Sequence, residues 1–252
     1  MLKILLNGAC GRMGRTVAAM AEGRDDMQIV AGIDVKPQTY ADFPVYADIH
    51  EFIGAADVVV DFTVAPALDR TLAYCVRRGL RLIVATTGHT PEQMEALRAA
   101  SEQIAVFKSA NMSLGVALLA DLVKRACRVL GDGYDVEVVE RHHNQKLDAP
   151  SGTALMLADA AAQALPYTPQ YQYNRHDVRR QRPKNEIGIH SVRGGTIVGE
   201  HEVIFAGTDE VIELRHSAQS RALFATGAIR AVLFLSTKET GYYDMEDLVA
   251  SL

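Results

Sequence analysis

No uninterrupted apolar run in the 252 residues reaches membrane-spanning length, so no transmembrane helix is expected. A secretory leader is not expected either, because Met1-Leu-Lys-Ile-Leu-Leu-Asn-Gly8 is short and gives way at once to glycine. Cysteine is scarce. Cys10, Cys75 and Cys127 are odd in number and far apart, which suits neither a disulfide framework nor a zinc motif. Positive charge is not in excess: the net charge of −5 argues against nucleic acid as the main partner and leaves small anions to local basic groups. Internal repeats and low-complexity segments are missing, as are a G-x-S-x-G elbow and a Walker loop. What is present is 48% hydrophobic and 23% charged, a globular composition with length for one large or two modest domains. The cytoplasm is the expected location.

The first positive signal is Leu2-Lys-Ile-Leu-Leu6 running into Asn7-Gly-Ala-Cys-Gly-Arg-Met-Gly14. Glycines at 8, 11 and 14 followed by an Ala-rich helix (16–21) predict strand, tight turn and helix. That geometry sets a pyrophosphate on exposed backbone N–H groups at a helix N-terminus. The second strand, 27–33, ends in Asp34, twenty residues after Gly14, where an acid meets adenosine ribose hydroxyls. Strands at 56–62, 82–85 and 104–107 then alternate with helices at 66–78 and 91–101, the latter capped by Thr90. Near-continuous apolar strands of this kind predict a parallel sheet covered on both faces. Its strand ends, Asp61-Phe-Thr63, Ala85-Thr-Thr-Gly88 and Ser109-Ala-Asn-Met112, are candidates to flank a dinucleotide.

From Ser113 the pattern changes. A long helix (114–130), a strand (134–140) and a helix (154–164) are followed by a polar stretch, 166–185, expected to be a loop. Its basic run Arg179-Arg-Gln-Arg-Pro-Lys184 is expected to be a solvated or subunit-contact surface. Three strand-like runs, 187–192, 196–206 and 210–216, predict an antiparallel or mixed sheet. Helices at 222–236 and 245–252 close the chain. The expected division is a dinucleotide-binding domain of residues 1–112 and 218–252, and a second domain of residues 113–217 for substrate and oligomerisation.

The densest cluster of chemistry is Glu140-Arg-His-His-Asn-Gln-Lys-Leu-Asp-Ala-Pro-Ser-Gly-Thr-Ala154. It joins a strand end to a helix start, so proton-transfer groups lie beside an anion-binding helix N-terminus. His142 and His143 are neighbours in an extended segment and point to opposite faces, which separates their jobs and disfavours a shared metal. Lys146 offers a charge or a proton. Ser151, Gly152 and Thr153 offer N–H groups and hydroxyls to a carboxylate. The other histidines (50, 89, 176, 190, 201 and 216) are expected to be surface or packing residues. A dinucleotide fold with a separate proton donor points to hydride transfer. Two other readings stay open at this level: a non-catalytic dinucleotide sensor, and a metal-dependent lyase or hydrolase.

Together, Gly8-Ala-Cys-Gly-Arg-Met-Gly14, Ala85-Thr-Thr-Gly88, Ser109-Ala-Asn111 and above all 140–153 resemble the 4-hydroxy-tetrahydrodipicolinate reductase (dihydrodipicolinate reductase) family. The motifs span the chain in family order. The resemblance implies a Rossmann domain completed by C-terminal helices, an α/β substrate domain, and a homotetramer built through the substrate-domain sheet. It implies reduction of a cyclic unsaturated dicarboxylate with NADH or NADPH in the diaminopimelate route to lysine. It implies His142 as acid/base, Lys146 as companion proton donor, and His143 with Gly152 and Thr153 as carboxylate binders. Implied cofactor contacts are Gly8, Ala9, Cys10, Gly11, Arg12, Met13, Asp34, Ala85, Thr86, Thr87, Ser109, Ala110, Asn111 and Met112. Two positions depart from the family: Ala85 stands where many members carry glycine, and Met112 where many carry phenylalanine.

Overall fold

The computed structural model describes residues 1–177 and 179–252. The chain begins β1 (Leu2–Asn7), α1 (Arg12–Ala21), β2 (Met27–Ile33), β3 (Val45–Tyr46) and β4 (Val58–Asp61). It continues α2 (Leu68–Arg78), β5 (Arg81–Val84), α3 (Pro91–Ala100), β6 (Ala105–Lys108) and α4 (Leu114–Leu130). Next come β7 (Asp135–His142), α5 (Gly152–Ala164), β8 (Gln170–Gln172), β9 (Glu186–Arg193), β10 (Glu200–Ala206) and β11 (Val211–Ser217). The end is α6 (Ala222–Ser236), β12 (Gly241–Tyr243) and α7 (Met245–Ala250). Residues Met1–Ser113 and Ala222–Leu252 form one unit, and Leu114–Arg221 another.

In the first unit the strand order is β12-β6-β5-β4-β1-β2-β3, and every pairing is parallel. Register explains why these strands are apolar along their length. Leu5, Val59, Leu82 and Val106 form one row across the sheet, buried against Leu72 and Cys75 of α2 and Leu97 of α3. The next row, Leu6, Val60, Ile83 and Phe107, faces the other way. There Phe107 meets Phe234 of α6 edge to face at 6.1 Å. The strand order reverses direction between β1 and β4, so the ligand crevice of such a sheet lies at their carboxyl ends, beside Asn7 and Asp61. α3 begins with the expected Thr90 cap, reciprocated by Gln93. β3 and β12, of two and three residues, were not expected.

In the second unit the order is β11-β10-β7-β9-β8. The sheet is mixed because α5 carries the chain over from β7 to a parallel β9, whereas β10 and β11 run antiparallel. One face packs on α4 and α5. Its rows run Ile187–Val136–Phe205–Ile212 and then Ile189–Val138–Val203–Leu214, all within one core with Leu119, Val123, Leu157 and Ala161. The third row is polar: Ser191, Glu140, His201 and His216.

One expectation for 166–185 is corrected here: the stretch is not wholly loop, since Gln170–Gln172 pairs with β9. In its basic run Arg179, Arg180 and Lys184 are exposed and Arg182 is half-buried. Arg182 donates to Glu137, Asp135 and the carbonyl of Val136, clamping the start of β7. A guanidinium has enough donors to satisfy several acceptors at once, which is why an arginine serves there.

Candidate functional site

The glycine turn is built by backbone constraints. Gly8 has φ +82°, open to glycine at little cost, and its missing Cβ would lie 3.0 Å from the Phe62 backbone. A Cβ on Gly14 would sit 2.3 Å from the Gly8 carbonyl oxygen, so glycine alone lets α1 start so close to the turn. Ala9 is fully buried, and its N–H, like that of Gly8, donates to the Ile33 carbonyl. Gly11 is the N-cap of α1 and provides no side-chain cap, the arrangement that leaves first-turn N–H groups to an anion. Helix α1 thus starts four residues earlier than the sequence pattern indicated.

Asp34 follows β2 directly. Its Oδ2 accepts the Cys10 N–H at 3.0 Å and its Oδ1 the Lys36 N–H at 3.1 Å, so the acid and the glycine turn brace each other. Asn7, Gly8, Gly11, Asp34 and Thr63 share a cavity of about 310 Å³. A glycine turn, an uncapped helix start and an acid at the next strand end suit the pyrophosphate and ribose of a dinucleotide.

Beneath this crevice lies a polar knot that the sequence only partly suggested. Asp61 is fully buried, and Asn7, Thr63 and Thr86 donate to it at 3.0, 2.7 and 3.3 Å. Burial pushes its carboxyl above the ordinary range, against those hydrogen bonds. Lys108 Nζ donates to the Thr86 carbonyl at 2.8 Å. Thr86 is therefore turned inward, while Thr87 is exposed and Ala85 is half-buried with its N–H on the Asp61 carbonyl. Ser109 and Asn111 tie their own loop, Ser109 Oγ accepting the Asn111 N–H and donating to the Asn111 carbonyl. Ala110 is exposed and Met112 is buried.

In the second unit the strand ends at His142, which is 8% exposed, and His143 is half-buried. Glu140, two residues back on the same face, has no exposed surface and accepts His142 Nδ1 at 2.6 Å. Arg193 holds both oxygens of that carboxylate at 2.7 Å. Burial opposes the charge of Glu140, yet the bonds from Arg193 and His142 outweigh it and hold its carboxyl down to about 2. Lys146 lies in the following turn, paired with Asp148 at 2.9 Å.

Ser151 is buried and caps α5 through the Ala154 N–H. Its own N–H goes to Glu140, and its hydroxyl also meets His201 Nε2 at 3.0 Å. Its polar atoms are thus engaged within the protein, beside the Gly152–Thr153 helix start. Gly152 is exposed at the first helical position and Thr153 is half-buried beside it.

Two further residues of this cluster were not singled out by the sequence: His201, a buried packing histidine that lies edge-on to His142, and Arg193, which ends β9 with its guanidinium on Glu140. The sequence carries a signal for Glu140, which shares a face with His142 by strand alternation. For Arg193 and His201 the signal is the pairing register of β9 and β10, which one sequence does not carry. Among the described residues, no group of three or more His, Cys, Asp and Glu side chains is placed to hold a metal ion.

Comparison with known proteins matches both parts of the chain. Residues 2–112 match the family described as dihydrodipicolinate reductase, N-terminus, and residues 115–249 its C-terminus. The 4-hydroxy-tetrahydrodipicolinate reductase of Caldanaerobacter subterraneus subsp. tengcongensis is 49% identical, over 99% of this chain and 98% of that protein. The Clostridium tetani reductase of the same name is 43% identical, over 100% and 98%. The structure of a dipicolinate-bound dihydrodipicolinate reductase from Paenisporosarcina sp. TG-14 superposes with a TM-score of 0.82 at 26% identity, covering 98% of this chain and 99% of that one. With both its nucleotide-binding motif and its histidine segment inside these matches, the chain belongs to the dihydrodipicolinate reductase family.

Proposed function

We propose that the protein reduces 4-hydroxy-tetrahydrodipicolinate to tetrahydrodipicolinate in the diaminopimelate route to lysine, using a reduced pyridine nucleotide. The observation that carries this is the span of the family match, which takes in both the glycine turn and the His142 segment. Replacing the 4-hydroxyl by hydrogen consumes one hydride and one proton and releases water. The nucleotide supplies the hydride; the chain supplies binding, orientation and the proton.

On this reading residues 1–112 and 218–252 bind the nucleotide, and residues 113–217 bind substrate. Gly8 to Met13 and Asp34 hold the pyrophosphate and ribose. Ala85, Thr87 and the Ser109–Met112 loop flank the nicotinamide, with Thr86 bracing them from below through Asp61. His142 transfers the proton, with Lys146 as its companion. His143 and the Gly152–Thr153 start of α5 meet substrate carboxylates, where helix N–H groups favour negative charge. NADH and NADPH both serve, with NADH modestly preferred. The protein works in the cytoplasm as a homotetramer joined through the sheet face opposite α4 and α5, where Val192 and Val211 are exposed and Val139 and Ile204 are half-buried.

The test is a spectrophotometric assay of NADH and NADPH oxidation with freshly generated hydroxy-tetrahydrodipicolinate. Substrate-dependent oxidation is expected with both. Nucleotide binding without turnover would point to a sensor instead, and activity abolished by a strong chelator to metal-dependent chemistry.

A further inference from the structure

The groups hydrogen-bonded to the Glu140 carboxylate all donate to it: Arg193, the Ser151 N–H, His142 and the Ser191 hydroxyl. Oε1 takes Arg193 Nη2 at 2.7 Å and the Ser151 N–H at 3.2 Å. Oε2 takes Arg193 Nη1 at 2.7 Å and meets His142 Nδ1 at 2.6 Å. An ionised carboxylate only accepts, so the nitrogen of His142 that faces it must carry a hydrogen. We propose that Glu140 and Arg193 are positioning residues, which lock the His142 proton on Nδ1 and make Nε2 the nitrogen that exchanges a proton with substrate. This rests on the proposed role of His142.

Two independent features support the assignment. Gly199 lies beside Nε2, and a Cβ there would come within 3.0 Å of it, so glycine keeps that nitrogen approachable. On its flank the ring is held edge-on by His201, itself tied to the cap residue Ser151. Arg193 also donates to the Asp148 carbonyl at 2.7 Å, so the side chain that fixes Glu140 fixes the loop carrying Lys146 as well. Loss of the 4-hydroxyl together with a neighbouring ring proton, as water, leaves a conjugated ring; in the proton step that follows hydride addition, the imidazolium breaks its Nε2–H bond and a C–H bond forms on that ring. The Nδ1–H bond to Glu140 stays intact, no proton passes to the carboxylate, and solvent returns a proton to Nε2.

The discriminating variant is Glu140→Gln. At the Oε1 position a carboxamide NH2 would face two donors that cannot adapt, Arg193 and the Ser151 N–H. At the Oε2 position it faces one such donor, Arg193 Nη1, and His142, which can adapt by moving its proton to Nε2. A neutral imidazole in that form is no acid at neutral pH, so the variant keeps its shape and loses its proton donor.

The experiment uses the full-length protein with 15N-labelled histidine. The His142 tautomer is read by long-range proton–nitrogen correlation at alkaline pH, and the signal is assigned by its absence in His142→Gln. kcat and KM are measured on the same samples. Wild type is expected as the Nδ1–H tautomer and Glu140→Gln as Nε2–H. kcat should fall by about a hundredfold to ten-thousandfold while KM stays within about twofold. Arg193→Lys leaves Glu140 charged and should keep the Nδ1–H tautomer with a smaller loss of kcat. A wild-type Nε2–H tautomer overturns the proposal, as does a folded Glu140→Gln with near-normal kcat. If Glu140→Gln does not fold, the wild-type tautomer alone decides. A wild type locked as Nδ1–H but inactive on the dicarboxylate would uphold the positioning and sink the proposed function.

Discussion

The imidazole of His201 meets that of His142 edge to face, with ring centroids 5.1 Å apart and planes at 73°. The contact follows from register: His201 pairs with Glu140, and His142 lies on the same face one step along β7. Burial, together with the neighbouring His142, pulls the His201 pKa down to about 4, and Glu140 offsets this only in part. His216 and Lys146 also disfavour a charge there.

This places a stability change at mildly acidic pH. Unfolded, His201 takes up a proton near 6.5; folded, it does so only near 4, so acid favours the unfolded chain. Its contribution is complete above about pH 6.5 and is lost as the pH falls toward 4, a change of about 3 kcal/mol for a shift of that size. Glu140 acts lower, its contribution being present above about 4.5 and lost as the pH falls through about 2. Denaturant unfolding across this range should show the first loss in wild type and a flatter profile in His201→Gln. Equal slopes in both proteins would rule out a buried neutral His201.

Loss of either proton-handling group should appear in kcat. His142→Ala and Lys146→Ala are each expected to lower kcat by about a hundredfold to ten-thousandfold, with a smaller rise in KM. His143→Ala and Thr153→Val should act mainly on the KM for the dicarboxylate. Steady-state kinetics at saturating nucleotide separate the two patterns, and near-normal kcat in both alanine variants would refute the assignment.

Cofactor preference turns on Asp34 and the cations beside it. Asp34 can accept ribose hydroxyls, whereas a 2′-phosphate there meets like charge softened by solvent and salt. Lys36, two residues on, and Arg12, two residues after the Cys10 that donates to Asp34, are exposed and free to turn toward a phosphate. Asp34→Ala should weaken NADH while sparing or improving NADPH, and Lys36→Ala should weaken NADPH selectively. kcat/KM for both nucleotides at one ionic strength decides. A strong wild-type preference for NADPH, unaltered in Asp34→Ala, would show that Asp34 does not read the ribose.

Gly227 of α6 supports the Met112 loop by having no side chain. A Cβ there would lie 1.6 Å from the Met112 carbonyl oxygen and 2.8 Å from its carbon, and backbone cannot swing aside as a side chain can. Gly227→Ala is expected to cost about 1–3 kcal/mol or more, lowering Tm by roughly 4–10 °C, and to raise the KM for the nucleotide. A thermal scan showing no shift, with an unchanged nucleotide KM, would argue against this packing.

Assembly has its own measurement. Sedimentation at micromolar concentration should show a species of four chains. Val192→Glu or Val211→Glu, on the open sheet face, should shift it toward smaller species. A fully active monomer would exclude the tetramer.

Periodicity and punctuation were enough to locate the longer elements, since a three-turn helix or a seven-residue strand repeats its pattern often enough to be recognised. The glycine turn was legible because Gly8 and Gly14 answer local steric demands. Glu140 was within reach by alternation with His142. The strands Gln170–Gln172, Val45–Tyr46 and Gly241–Tyr243 were not, being too short to show a period and held by their neighbours. The surroundings of His142 were decided by tertiary structure alone. Arg193 is 53 residues from Glu140 and His201 is 50 from Ser151. They meet because β9 and β10 pair with β7 in one register, and a slip of one residue would turn both to the opposite face. That register is selected by burying Ile187, Ile189, Val203 and Phe205 together against α4 and α5, a cooperative choice of the whole core.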